Sequence, residues 1–317
     1  LSAANISTFP KEFVLFLALI LGLLFLGVSL PIPIISTLAV ALVPVPITIF
    51  CLRNDLIYGA ILLLALLTIL SLWGGPLFGI IFLFEFGFLS LALALGFKYK
   101  FSQGKIISTA LIINIAAALL LLGILILQQG IKPRQILDQH IESQIQEMAK
   151  IYNELKLDET QREALTKGAQ SLKKFILMVY PGLYISMALC LVVFDYLIIR
   201  WGLIRLGYMV ADRTPFSRLL IPETWVWGLI ASVCPWMFGI PRINTWALNA
   251  TIVFLSIYIL QGLAIGIFLW TNQRMAPLFK LLVAGIILFQ PLLLLLLFPL
   301  GLFDIWIDFR KLKPAQT

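Results

Sequence analysis

Long apolar blocks, separated by short polar breaks, constrain this chain more than any other feature. They span residues 13–30, 32–50, 56–73, 77–97, 106–127, 175–199, 225–240, 246–270 and 281–300. A mostly apolar block of about 18 residues or more is long enough to cross the hydrocarbon core of a bilayer. Inside lipid, a lone segment satisfies its own backbone only as a helix. The blocks are too long for barrel strands and lack strict alternation. The expected fold is therefore all-α, a polytopic transmembrane helix bundle of eight or nine spans with the lipid bilayer as its solvent. With 61% hydrophobic and 12% charged residues, a water-soluble surface could not be built.

One polar stretch interrupts the blocks, at 128–174. Its apolar positions Leu137, Ile141, Ile145, Met148, Tyr152 and Leu155 step by three and four, which is one face of a helix. Pro133 suits a helix start. Leu157, Asp158 and Gln161 resemble a staple and capping box that open a second helix. An extramembrane helical hairpin follows, its second arm running into the sixth span. The chain divides into a five-span region 1–128, the hairpin 129–174, a C-terminal membrane region 175–300 and an interfacial basic tail 301–317. The first ten residues lack the basic run of a secretory signal, so the first block reads as a retained span.

Charge sets the orientation. Lys98, Lys100 and Lys105 lie between spans four and five, and Arg200, Arg205, Arg213 and Arg218 follow span six. Short basic loops stay cytoplasmic, which puts the N-terminus on the cytoplasmic side of the membrane. The basic tail would prefer the inside as well, whereas nine spans leave it outside. The short block 225–240, broken by Pro235, and the tightly turned first pair, 13–30 and 32–50, are the suspects for a segment that does not cross. The net charge of +8 is spread over loops with no recognition module, so nucleic acid is not an expected partner. All eight tryptophans fall near span ends, where indoles settle at headgroup depth.

Motifs of soluble enzymes are absent. There is no GxxxxGK[ST], GxSxG or HExxH, and His140 is the only histidine. Cys51, Cys190 and Cys234 are far apart, without metal spacing. The reading is a non-enzyme with neither cofactor nor metal. Polar groups within spans become the candidates, because lipid makes them expensive. Glu85 sits mid-span between Phe84 and Phe86. Asn114 lies at similar depth in the next span, and the Lys98–Lys105 loop folds the two spans into a hairpin. Glu85 and Asn114 are expected either to line a midplane ligand site or to act as polar glue. Gln261, beside Gly262 and Gly266, and Gln290, followed by Pro291, are further ligand candidates. Proline frees a backbone carbonyl that can line a site. Asp195, near Arg200, reads as an interfacial charge. Asp304 and Asp308 are expected on one helical face of the tail. Asp304, Trp306, Asp308 and Arg310 are candidates for docking a partner subunit, with interfacial anchoring as the alternative.

The segments PFSRLLIPETWVW (215–227), YLIIRWGLIRLG (196–207) and GLFDIWIDFRKLK (301–313), with Pro181 early in its span, resemble the YybS-like family of bacterial membrane proteins. That resemblance implies a distant likeness to the substrate-binding membrane components of energy-coupling-factor transporters. Such components take a small vitamin or metal ion and rely on a separate coupler and ATPases. The functional expectation is a solute-binding or transport component with a small-molecule substrate and separate energising subunits. The alternative is a non-transporting scaffold or regulator that docks partner proteins.

Overall fold

The structure is a computed structural model that describes residues 9–30, 33–130, 133–154, 158–208, 210, 214–238, 241–272 and 295–312. Every regular element among them is helical. Among the described residues, seven helices are long and apolar enough to cross a membrane: Lys11–Ser29, Ile35–Asn54, Leu56–Gly74, Pro76–Lys98, Gln103–Leu127, Glu163–Arg205 and Ile243–Thr271. The chain forms two compact units. Unit 1 holds Leu1–Ile124 and Ala188–Arg213, and unit 2 holds Leu125–Met187 and Thr214–Thr317.

Unit 1 contains α1 (Phe9–Ser29), α2 (Pro33–Ala41), α3 (Pro44–Asn54), α4 (Leu56–Gly74), α5 (Pro76–Phe82), α6 (Phe88–Lys98) and most of α7 (Gln103–Gln129). Prolines divide the second block. Pro44 and Pro46 cannot donate, so Val43 and Val45 bond three residues back, to the carbonyls of Val40 and Leu42 at 3.1 and 3.2 Å. Between α4 and α5, Gly75 takes φ +89° ahead of Pro76, a backbone setting that suits glycine. A first core joins Ile20 of α1, Ile47 and Phe50 of α3, and Leu62 and Leu66 of α4, all fully buried. A second joins Val45 of α3, Leu89 and Leu93 of α6, Ala110 of α7, and Val192, Tyr196 and Ile199 of the helix α9 (Glu159–Arg205).

Unit 2 begins with a helical hairpin. Its arms are α8 (Pro133–Glu154) and the first part of α9, with Asp158 directly ahead of the second arm. Lys173 ties the arms together, at 2.9 Å from Asp138 and 2.6 Å from Glu142. The inner face of α8 is half-buried at Leu137, Ile141 and Ile145, while Met148 is exposed. Leu155 and Leu157 lie outside the described residues.

Unit 2 also holds α10 (Trp225–Met237), α11 (Pro241–Asn272) and α12 (Leu297–Ile307). The expected span 225–240 is corrected here. At 13 residues α10 is roughly 20 Å long, short of a core about 30 Å thick. The last expected span lies outside the described residues up to 294. From Leu297 the helix continues unbroken into the tail. Helices α11 and α12 cross with backbones touching: a Cβ on Gly262 would overlap the Leu297 carbonyl, and one on Gly301 the Tyr258 carbonyl.

Candidate functional site

Glu85 lies in a π-helical turn, Leu83–Gly87, set between α5 and α6 within one candidate span. Such turns insert a residue into the helical ladder and recur at functional sites. The residue is half-buried. Asn114 of α7 is buried, and its amide donates to the backbone carbonyl of Glu85 at 3.2 Å. The expected hairpin of spans four and five thus brings the two residues together through the main chain. The Glu85 carboxyl makes no hydrogen bond or ion pair among the described residues.

Two further polar residues join this region, and sequence reading had not singled them out. Thr48 of α3 donates to the Ser90 carbonyl at 3.2 Å, and the Ser90 hydroxyl donates to the Phe86 carbonyl at 2.6 Å. Both residues are fully buried. The hydroxyls therefore link α3 to the first turn of α6, directly beyond the π-turn.

Asp195, expected as an interfacial charge, is buried inside unit 1. The residue is 0% exposed, and among the described residues neither carboxylate oxygen has a hydrogen-bond partner. The adjoining Tyr196 stacks on Phe97 with ring centroids 5.4 Å apart. The sequence did carry a signal for it, a charge inside a predicted span, but the nearby Arg200 drew the reading toward the membrane surface.

In unit 2 the remaining candidates separate. Gln261 Nε2 donates to Asp304 Oδ2 at 3.2 Å, and Arg310 binds the same oxygen at 2.6 Å. Arg310 also donates to the carbonyls of Ser217 and Leu219, at 2.6 and 2.9 Å. Asp304 and Arg310 have fully buried side chains. Both are turned inward, Arg310 onto the 215–219 segment and Asp304 onto Gln261 and Arg310, and present no surface to a partner. Asp304 and Asp308 do not share a helical face, because α12 ends at Ile307 and Asp308 adopts a left-handed cap. Trp306 is exposed. Gln290 and Pro291 lie outside the described residues.

A second polar contact fixes α9. Pro181 removes a donor within that helix. The Asn249 carboxamide accepts from Gly182 N–H at 2.6 Å and donates to the Met178 carbonyl at 3.0 Å. These are the two groups that a regular helix would join directly. Asn249 matches a glycosylation sequon in the sequence, and here it serves as a buried bridge between helices. Among the described residues, no three His, Cys, Asp or Glu side chains come together as metal ligands.

Comparison with known proteins gives a family match. The family described as "Predicted membrane protein (DUF2232)" matches residues 16–305. No curated protein matches the chain. No solved structure matches it either. A family match over nearly the whole length, on a helical chain with seven spanning candidates, places this chain in the DUF2232 family of predicted membrane proteins.

Proposed function

We propose that the chain is a solute-binding or transport component whose ligand meets unit 1 at Glu85. One observation carries the reading: a half-buried carboxyl, set in a π-turn midway along a span, has no partner among the described residues while Asn114 engages the backbone beside it. Polar glue would spend the amide on the carboxyl. Here the amide fixes the backbone and leaves the carboxyl available. An intramembrane acid is costly and is retained where it does work.

In this reading the protein is not an enzyme. It sits in a bacterial inner membrane with its N-terminus in the cytoplasm, and separate membrane subunits supply the energy. The likeness to energy-coupling-factor substrate-binding components, drawn from the YybS-like resemblance, belongs to the same proposal. The test is a thermal shift. Protein stripped by detergent exchange is given a solvent extract of small molecules from its host. Wild type gains stability and Glu85→Gln gains none. An equal gain in both overturns the site.

The scaffold reading keeps one specific support. The buried Asp304–Arg310 pair ties the tail to the end of α12, and Phe303, Trp306 and Ile307 are left exposed, with the Phe303 and Trp306 rings 6.4 Å apart, a surface that a partner helix could cover.

A further inference from the structure

One end of unit 1 is strongly basic. Arg53 lies at the end of α3 and Lys98 at the end of α6. Lys100 and Lys105 flank the turn into α7, and Arg200 and Arg205 lie in the last turns of α9. The Glu12–Arg53 pair places the start of α1 at the same end. Phe97 and Phe101 of the α6–α7 turn pack with Ile199 and Leu203 of α9 in one core, and the Phe97 ring stacks on Tyr196. The basic turn therefore lies against the last turns of α9.

Among the described residues, the carboxylates at this end are already taken. Glu12 holds Arg53 at 2.7 Å, and Asp55 holds Lys98 at 2.5 Å. Lys105 stands 4.0 Å over the Phe101 ring, and Arg205 stands 5.4 Å over the Trp201 ring. Those ring contacts leave both charges without an anion. Lys100 is exposed.

Arg200 differs from all of these cations. It is only 8% exposed, and among the described residues it makes neither a hydrogen bond nor an ion pair. Its Nε is enclosed without an acceptor. Its two terminal nitrogens have no acceptor either, yet they are not enclosed, so the tip of the guanidinium opens at the surface. Asp195 does not supply the anion. It lies five residues away, about 140° round the helix, and its own oxygens are unpartnered. A carboxyl can shed its charge by taking up a proton, whereas a guanidinium stays charged. A buried unpaired charge is costly, so Arg200 calls for an anion from outside the chain.

The surroundings select the anion. Trp201, Ile204 and Tyr208 are exposed around the end of α9, and Tyr99 is exposed on the turn packed against it. Tryptophan and tyrosine at a span's end mark headgroup depth. A planar guanidinium forks onto two oxygens of a phosphate, and basic recesses between spans at this level take anionic lipid headgroups. Helix α7 also opens at this end, at Gln103, and the first N–H groups of a helix favour an anion. We propose that Arg200, with Lys100 and Lys105 on the adjoining turn, binds the phosphate of an anionic phospholipid between the α6–α7 turn and the end of α9. The site is independent of the solute reading at Glu85.

The experiment is native mass spectrometry of the delipidated full chain in detergent, paired with hydrogen exchange. Dioleoyl phosphatidylglycerol or dioleoyl phosphatidylcholine is added at equal concentration. Wild type should retain one phosphatidylglycerol in preference to phosphatidylcholine, and only phosphatidylglycerol should slow exchange at residues 98–106 and 204–208. Arg200→Gln should cut that preference about tenfold, the loss of a charge-assisted contact. Lys167→Gln, which removes one charge from the hairpin instead, should keep it. Equal retention of the two lipids by wild type, or slowed exchange only elsewhere, overturns the site, and this arm stands even if Arg200→Gln fails to fold. A preference unchanged in Arg200→Gln overturns it as well. If inorganic phosphate alone slows exchange at the same residues as phosphatidylglycerol does, the phospholipid is overturned as the source of the anion.

Discussion

Asn114 donates its side-chain amide to the main-chain carbonyl of Glu85 and leaves the carboxyl of the same residue alone. The backbone and the side chain of Glu85 therefore have separable roles. Asn114→Ala removes a membrane-embedded hydrogen bond worth about 1 kcal/mol. It should lower the melting temperature in detergent while the Glu85 carboxyl stays available. Glu85→Gln should leave the melting temperature of the ligand-free protein nearly unchanged. If the two variants reverse these effects, the carboxyl is structural.

The α11–α12 crossing depends on absent side chains. Gly301→Ala places a methyl where the Tyr258 carbonyl already lies, so the backbones have to part, at about 1–3 kcal/mol. Gly266→Ala is the control, since nothing lies within 4 Å of its Cβ position. It should be neutral or slightly stabilising. Thermal unfolding of the two variants side by side checks the contrast.

Removing one member of the Asp304–Arg310 pair strands the other in the interior, at about 3–5 kcal/mol. Asp304→Leu and Arg310→Met should each be strongly destabilising, and the double variant should recover part of the loss. Because Arg310 also holds the Ser217 and Leu219 carbonyls, Arg310→Met should release the 215–219 segment more than Asp304→Leu does. Protease sensitivity near Arg218 reads that difference.

The α3–α4 turn carries a pH dependence. The Lys98 ammonium, 2.5 Å away, and the Leu56 N–H hold the Asp55 carboxyl below the ordinary carboxylate range. A depressed value in the folded state means the stabilisation is complete above the usual value of 3.8 and is lost as pH falls through the folded one. Protection from hydrogen exchange at residues 55–59, corrected for the intrinsic pH dependence of amide exchange, should fall on acidification in wild type, and Asp55→Asn should abolish that fall. The pair is exposed, so the effect is local and screened by salt.

The helical class and all seven spanning candidates were legible because lipid leaves so few options for an apolar block. The Glu85–Asn114 contact was legible for a related reason: two polar residues at matching depth in a hairpin can meet. Block 225–240 misled because hydropathy does not record where a helix ends, and Met237 ends α10 early. Asp304 and Arg310 misled because a basic aromatic tail reads as a surface, while their partners lie far away in sequence at Ser217 and Leu219. Thr48, Ser90 and Asn249 gave no usable pattern. Thr48 and Asn249 work through backbone groups on another helix, and Ser90 receives Thr48 at its own carbonyl, pairings that exist only once the helices are packed.

The most direct measurement is native mass spectrometry of wild type and Glu85→Gln purified in the same mild detergent. The account predicts a small molecule retained by wild type and absent from the variant, with both proteins otherwise intact. Equal retention in both, or a stoichiometric protein partner with no small molecule in either, would contradict a solute site at Glu85.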